Sequence, residues 1–290
     1  MFFHFQLTPI AEITPWGTKD EPVLHWFGLS DGHYWIRVGE TEVFRYSKAF
    51  LAAHPPQDLA LATHSSQLYV DYYIVRLWED MLEIVPDILD PLPSSLLQRM
   101  EPIDQWLQWC QKAHRWQEDP EEICSEETLD ARYDLYHKAL HWWWDRQLST
   151  GPIRFYPGIF FWSDGRLVHC LWDSQRSHDE NGLPIWEAVY GSAVVPVTTF
   201  REAVASFNTR FIAAMAERVQ QVLTHWFRAE ITMDFAHLAR EQIQRSEHFA
   251  KRMAEISTRA KTATEWESIL DAISTIENDP DFLAMPDEAN

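Results

Sequence analysis

Twice in this chain a Ser-Asp-Gly step sits inside a run of aromatic residues: "HWFGLSDGHYWIRVG" at 25–39 and "FFWSDGRLVHCLW" at 160–172. Asp-Gly between apolar runs is a strong local signal for a tight hairpin. Both central residues of the favoured turn need positive φ, which glycine accepts freely and aspartate tolerates. Centring the first turn on Asp31-Gly32 sets Leu29 opposite Tyr34, Phe27 opposite Ile36 and His25 opposite Val38. That side of the ribbon is mostly apolar, whereas the other pairs Gly28 with Trp35 and Trp26 with Arg37. Centring the second on Asp164-Gly165 sets Trp162 opposite Leu167, Phe161 opposite Val168 and Ile159 opposite Cys170. Both aspartates read as turn residues rather than catalytic groups. Two hairpins, each with one side to bury, commit the chain to antiparallel sheet packed on something apolar.

Around these hairpins the pattern alternates between strands and helices in blocks. After the first, Gly39-Glu40-Thr41 can return the chain into a strand over 42–46. After the second, the polar loop "DSQRSHDENGLP" leads to "IWEAVYGSAVVPV", which reads as strand, Gly191-Ser192 turn, strand. Helical spacing of apolar residues predicts helices over 66–85, 102–117 and 126–147 in the first half. In the second half it predicts 200–227, 234–261 and 265–277. Thr199 with Glu202, and Thr264 with Glu267, have capping-box spacing, and Pro86 and Pro280 are placed to end helices. Strands followed by helices, twice over, give an α+β class: antiparallel β-hairpins packed with helices. The halves, 1–150 and 151–290, then read as a pseudo-duplicated hairpin-then-helices unit or as one continuous domain.

At 290 residues the chain is long enough to bury a substantial core, and its 15 tryptophans are far above ordinary usage. No apolar run approaches the ~20 residues of a membrane span, and Met1–Leu7 lacks the pattern of a secretion signal. Cys110, Cys124 and Cys170 are odd in number and widely spaced, which fits neither a disulfide framework nor a CxxC metal site. A soluble cytoplasmic protein is the expectation. The formal charge is −20, and from Glu79 to Asp134 there are 15 acids against four bases. From Arg201 to Lys261 the balance is reversed, at 10 bases against 7 acids. Such a chain repels nucleic acid and attracts basic surfaces.

Signatures of chemistry are sparse. His137 and His141 stand one helical turn apart and could share an ion, but Lys138 stands where a zincin would carry its general base. His169 and Cys170 are adjacent in a strand, so they point to opposite faces and cannot pair. No nucleophile elbow, phosphate loop or dinucleotide fingerprint is present, and no cofactor is expected. The Trp142-Trp143-Trp144 triplet sweeps more than half of a helix circumference, so the helix is buried on several sides or exposes one ring. The densest charge lies in "EDPEEICSEETLDARYD", residues 118–134. Glu118, Asp119, Glu121, Glu122, Glu126, Glu127, Asp130 and Asp134 are candidate contacts for a basic protein partner, with Trp142 and Trp143 as aromatic anchors.

The strings "ITPWG", "LHWFGLSDGHYWIRVG" and "DYYIVRLWEDMLEIVPDILDPLP" resemble an uncharacterised bacterial family, a domain of unknown function covering most of such chains. The resemblance is anchored at Pro15-Trp16, Trp26–Trp35 and Trp78–Pro86. It implies a shared fold and brings no assigned catalytic residues. As a class, a compact, acidic, Trp-rich α+β chain also resembles immunity proteins that neutralise bacterial toxins. The leading expectation is therefore a non-catalytic immunity or inhibitor protein occluding a basic toxin domain, without nucleic-acid or membrane partners. The alternatives are a hydrolase with a carboxylate or metal site near His137 and His141, and a structural or regulatory subunit of a larger assembly.

Overall fold

A computed structural model describes residues 1–54, 68–118, 126–149, 156–259 and 265–286. It is α+β, with antiparallel sheets. The N-terminal sheet is built on β1 (Phe2–Leu7), with β2 (Trp16–Gly17) and β3 (Pro22–Val23) forming a small separate ribbon. β4 (Gly32–Val38) pairs with β1 along one edge and with β5 (Thr41–Val43) and, after α1 (Lys48–Ala53), β6 (Val70–Asp71) along the other. Period-two alternation holds in β4: Tyr34, Ile36 and Val38 are buried, while Trp35 and Arg37 face outward.

The first Ser-Asp-Gly step is not a hairpin turn. Asp31 is extended (φ −53°, ψ 137°), and the residues before it, Gly28–Ser30, form a single 3-10 turn. The partner of β4 is the distant β1, in the register Phe3↔Ile36 and Phe5↔Tyr34. Gly32 is required for another reason: a Cβ there would overlap the Gln6 carbonyl oxygen and lie 2.9 Å from Leu7 Cα. Glycine lets two backbones approach here rather than supplying a left-handed φ. The Gly39-Glu40 return is present, with Val38 opposite Thr41, although β5 ends at Val43 and not at residue 46.

The helices of the first half are α2 (Ile74–Ile88), α3 (Ser94–Arg99), α4 (Ile103–Glu118) and α5 (Glu126–Trp144). Pro86 does not end α2 but lies inside its last turn, where the Leu89 amide still bonds the Val85 carbonyl at 3.1 Å. The second sheet is β7 (Gly158–Ser163), β8 (Leu167–Asp173) and β9 (Tyr190–Pro196), in that order. Its hairpin exists, but with register Ser163↔Val168, Phe161↔Cys170 and Ile159↔Trp172, two residues away from the sequence expectation. The turn centres on Gly165-Arg166, with Gly165 at φ 92°. Asp164 stands before it, its Oδ1 accepting the amides of Arg166 (2.8 Å) and Leu167 (2.7 Å). Gly191-Ser192 is not a turn either. Both residues lie within the single strand β9, where a Cβ on Gly191 would sit 2.5 Å from the Trp172 indole.

α6 (Val197–Thr224), α7 (Phe235–Arg259), α8 (Trp266–Glu277) and α9 (Pro280–Ala284) complete the chain. The N-cap of α6 is Pro196, so Thr199 and Glu202 lie within the helix and do not form a capping box. α8 is preceded by Glu265 without a side-chain cap, and Thr264 lies outside the described residues. Pro280 opens α9 behind Asp279, whose side chain caps the Asp281 amide at 2.9 Å.

The β7–β8 hairpin divides two hydrophobic clusters. On one face Ile159, Phe161, Val168, Cys170 and Trp172 join the N-terminal sheet, α2 and α6. On the other, Trp162 and Leu171 join α4, α5, α8 and α9. Buried polar groups link distant segments across these clusters. Arg218 donates to the Leu29 carbonyl at 2.6 Å and to the Thr8 carbonyl, and Trp78 Nε1 donates to Asn208 Oδ1 at 3.0 Å. Such bonds cost little when complete and much when one partner is lost.

Candidate functional site

α5 owes its position to one apolar face. Tyr136, Ala139, Leu140 and Trp143 recur at three- and four-residue spacing, and all are buried. Trp143 stacks on Phe160 of β7 with centroids 4.5 Å apart, and Trp142 lies 5.5 Å from Trp106 of α4 and 6.0 Å from Trp266 of α8. Trp142 and Trp143 are therefore interior residues, at 3 % and 2 % exposure, and cannot be surface anchors. Sheet, α4 and α8 close around the C-terminal half of α5, which leaves Trp144 as the half-buried member of the triplet.

The opposite face of α5 carries the charge. Glu127, Asp130, Asp134 and His141 are exposed, and with Asp145 just beyond the helix they recur at spacings of 3, 4, 7 and 4. Helical geometry puts them on one stripe about 27 Å long, interrupted by Lys138. Beside the stripe Tyr133 is 52 % exposed, while Leu129, two turns before Tyr136 and in line with the apolar face, is 41 % exposed. Glu118, the last residue of α4, is exposed and lies 3.2 Å from His114 Nε2. Glu126 is the first residue of α5, and Asp119, Glu121 and Glu122 lie outside the described residues.

At its C-terminal end the stripe enters a cleft of about 460 Å³ between α2, the end of α5 and α7. Asp80, Glu83 and Asp87 line it from α2 at helical spacing, and Asp145, Trp144 and Arg252 line it from the other sides. Arg252 already pairs with Glu255 at 2.7 Å. Asp80 is 4 % exposed, and Arg76 approaches it no closer than 3.6 Å. Burial pushes the Asp80 carboxyl up to about 7, and Glu79 and Glu83 add to this while Arg76 opposes it. Burial thus disfavours the charged form of this carboxyl at neutral pH, and a positive charge beside it would favour that form.

His137 and His141 do not converge. His137 packs on the Tyr133 ring at 4.0 Å and against Trp144 at 5.1 Å, while His141 Nε2 faces Asp145 at 3.5 Å. Among the described residues no group of three His, Cys, Asp or Glu side chains is placed to hold a metal ion. Nor is any helix there long and apolar enough to cross a membrane.

Sequence reasoning singled out Glu127, Asp130 and Asp134 within 118–134, but neither the extension of their stripe to His141 and Asp145 nor the cleft beyond it. The signal for Asp80, Glu83 and Asp87 was present in their i, i+3, i+7 spacing within "EDMLEIVPDI". Nothing local, however, said that this face of α2 would meet Asp145 and Arg252.

Comparison with curated proteins and with solved structures found no match. A family model does match, over residues 2–272. The chain thus belongs to DUF5984, a family of unknown function.

Proposed function

We propose that this chain is a protein-binding protein whose α5 stripe and adjoining cleft receive a basic partner, masking it as an immunity or inhibitor protein masks a toxin domain. The observation that carries this reading is the continuity of the acidic stripe with the cleft lined by Asp80, Glu83, Asp87 and Asp145. Tyr133 supplies the apolar contact that charge alone lacks. An aromatic anchor within a charged rim is the usual anatomy of a protein interface. A lysine or arginine of the partner entering the cleft meets carboxylates on several sides and the Trp144 indole, which favours a cation over its face.

The test is site-specific crosslinking in the native host. A photoreactive phenylalanine replacing Tyr133 should capture a basic protein, and the same group replacing Ile243, exposed on α7, should not. Capture of an acidic protein at Tyr133, or equal capture of the same protein at both positions, contradicts the reading.

A further inference from the structure

A second cavity, of about 280 Å³, lies between the α3–α4 connection, the β7–β8 hairpin and the outer face of β9. Its walls are apolar at Met100, Ile103 and Val194, and its polar groups are Glu101, Asp164, His169 and Ser192. Asp164 is fixed by its role in the turn. Its Oδ1 is engaged by two backbone amides, which leaves Oδ2 facing His169 Nε2 across 3.9 Å. His169 is fixed as well, since it pairs across the strands with Trp162 and stacks on that indole at 5.2 Å with ring planes 9° apart. Burial holds the His169 imidazole below its ordinary range, against the opposing pull of Asp164 and Glu101. Hydrogen bonds from the turn hold the Asp164 carboxyl low. At neutral pH the cavity thus presents a carboxylate and a neutral imidazole that can accept a proton bond.

A gap of 3.9 Å is too long for a direct hydrogen bond and suits one bridging donor. A nitrogen about 2.8 Å from both atoms would see them at roughly 90°, within reach of two of the three N–H bonds of an ammonium. Glu101 lines the same cavity and can accept the third, while the apolar walls suit a short aliphatic chain. We infer that this cavity binds an aliphatic primary ammonium, the group shared by a free alkylamine and a lysine side chain, with Asp164, His169 and Glu101 as its acceptors. This site is separate from the α5 stripe and does not depend on the function proposed there.

The probes are n-butylamine, for a free amine, and Nα-acetyl-lysine N-methylamide, for a lysine side chain. Each is titrated into the full chain while the His169 ring signals are followed by NMR, assigned by their loss in His169→Gln. Saturable shifts of His169 with butylamine alone identify a free amine as the ligand, and shifts with both identify a site open to lysine. n-Butanol, which lacks the charge, should bind at least about tenfold more weakly. Asp164→Asn keeps the Oδ1 acceptor that closes the turn, so it should melt like the parent and bind amines at least about tenfold more weakly. Should that variant melt lower, Glu101→Gln, exposed and outside the turn, carries the same expectation. Absence of any His169 shift at about 50 mM of both amines, butanol binding as tightly as butylamine, or full amine affinity in both variants overturns the inference.

Discussion

Gly32 and Gly165 stand in the same tripeptide yet do different work. Gly165 holds φ 92° at the centre of a turn, and Gly32 admits the backbone of β1. Gly165→Ala should therefore cost about 1–2 kcal/mol, the strain of a left-handed non-glycine residue. Gly32→Ala should cost more, about 2–4 kcal/mol, because strand pairing itself must shift. Asp31→Asn should cost less than either glycine change, since the Asp31 backbone is extended and the loss is confined to its side chain, whose charge is opposite to that of the buried Arg218. Urea unfolding of the three variants gives the ranking; a Gly165→Ala cost above that of Gly32→Ala would mean that turn geometry dominates at both. A tripeptide seen alone cannot distinguish these uses, because the Gln6 carbonyl that demands Gly32 lies 26 residues away in sequence.

Asp80 carries a pH prediction at the same scale. Its folded-state carboxyl, pushed up to about 7, binds a proton more tightly than the unfolded one near 3.8. The native state then holds more protons than the unfolded state between those values, so stability falls as pH rises from about 4 through 7. Asp80→Asn removes that loss. It should stabilise the protein by about 1–2 kcal/mol at pH 8 and leave it unchanged near pH 3, as read by denaturation at the two pH values. Equal effects at both would show that ionisation of Asp80 is not what opposes folding.

At the scale of elements, α5 has two faces with opposite sensitivities. Trp143→Ala removes an indole enclosed by Phe160, Trp106 and Trp162 and should cost about 3–5 kcal/mol. Tyr133→Ala, half exposed on the other side, should change stability by only ~0.5 kcal/mol while weakening partner capture. Thermal melts paired with crosslinking of the same variants separate these roles, and an unfolded Tyr133→Ala would make that ring structural. Helix periodicity was legible for α4 to α8 within a few residues, because 3.6-residue spacing is a local property. Strand partners were not. β1 outcompeted residues 25–29 for β4 because Trp26 and Leu29 are taken into the core, at 0 % exposure each, by a different local turn.

For the molecule as a whole, the β7–β8 hairpin serves both hydrophobic clusters, with Phe161 facing one and Leu171 the other. The class was legible from element order, but this division was not, since it depends on a register set by the position of Asp164 in its turn. The formal charge of −20 acts over the entire surface. Self-repulsion at that charge should make the melting temperature rise by a few degrees between about 10 mM and 500 mM sodium chloride, as screening shortens its range. A fall over that range would show that local ion pairs such as Arg245 with Glu79 and Glu241 outweigh it.

The same charge should steer a basic partner to α5, and association kinetics read that directly. Using the protein captured at Tyr133, stopped-flow rates are compared for the parent chain and for Glu127→Lys, Asp130→Lys and Asp134→Lys combined, at about 20 mM and 500 mM salt. Rim charges act mainly on encounter, so the parent should associate at least about tenfold faster at low salt, and the two rates should converge at high salt. Equal rates and equal salt slopes in the two forms would contradict a basic partner docking on this stripe.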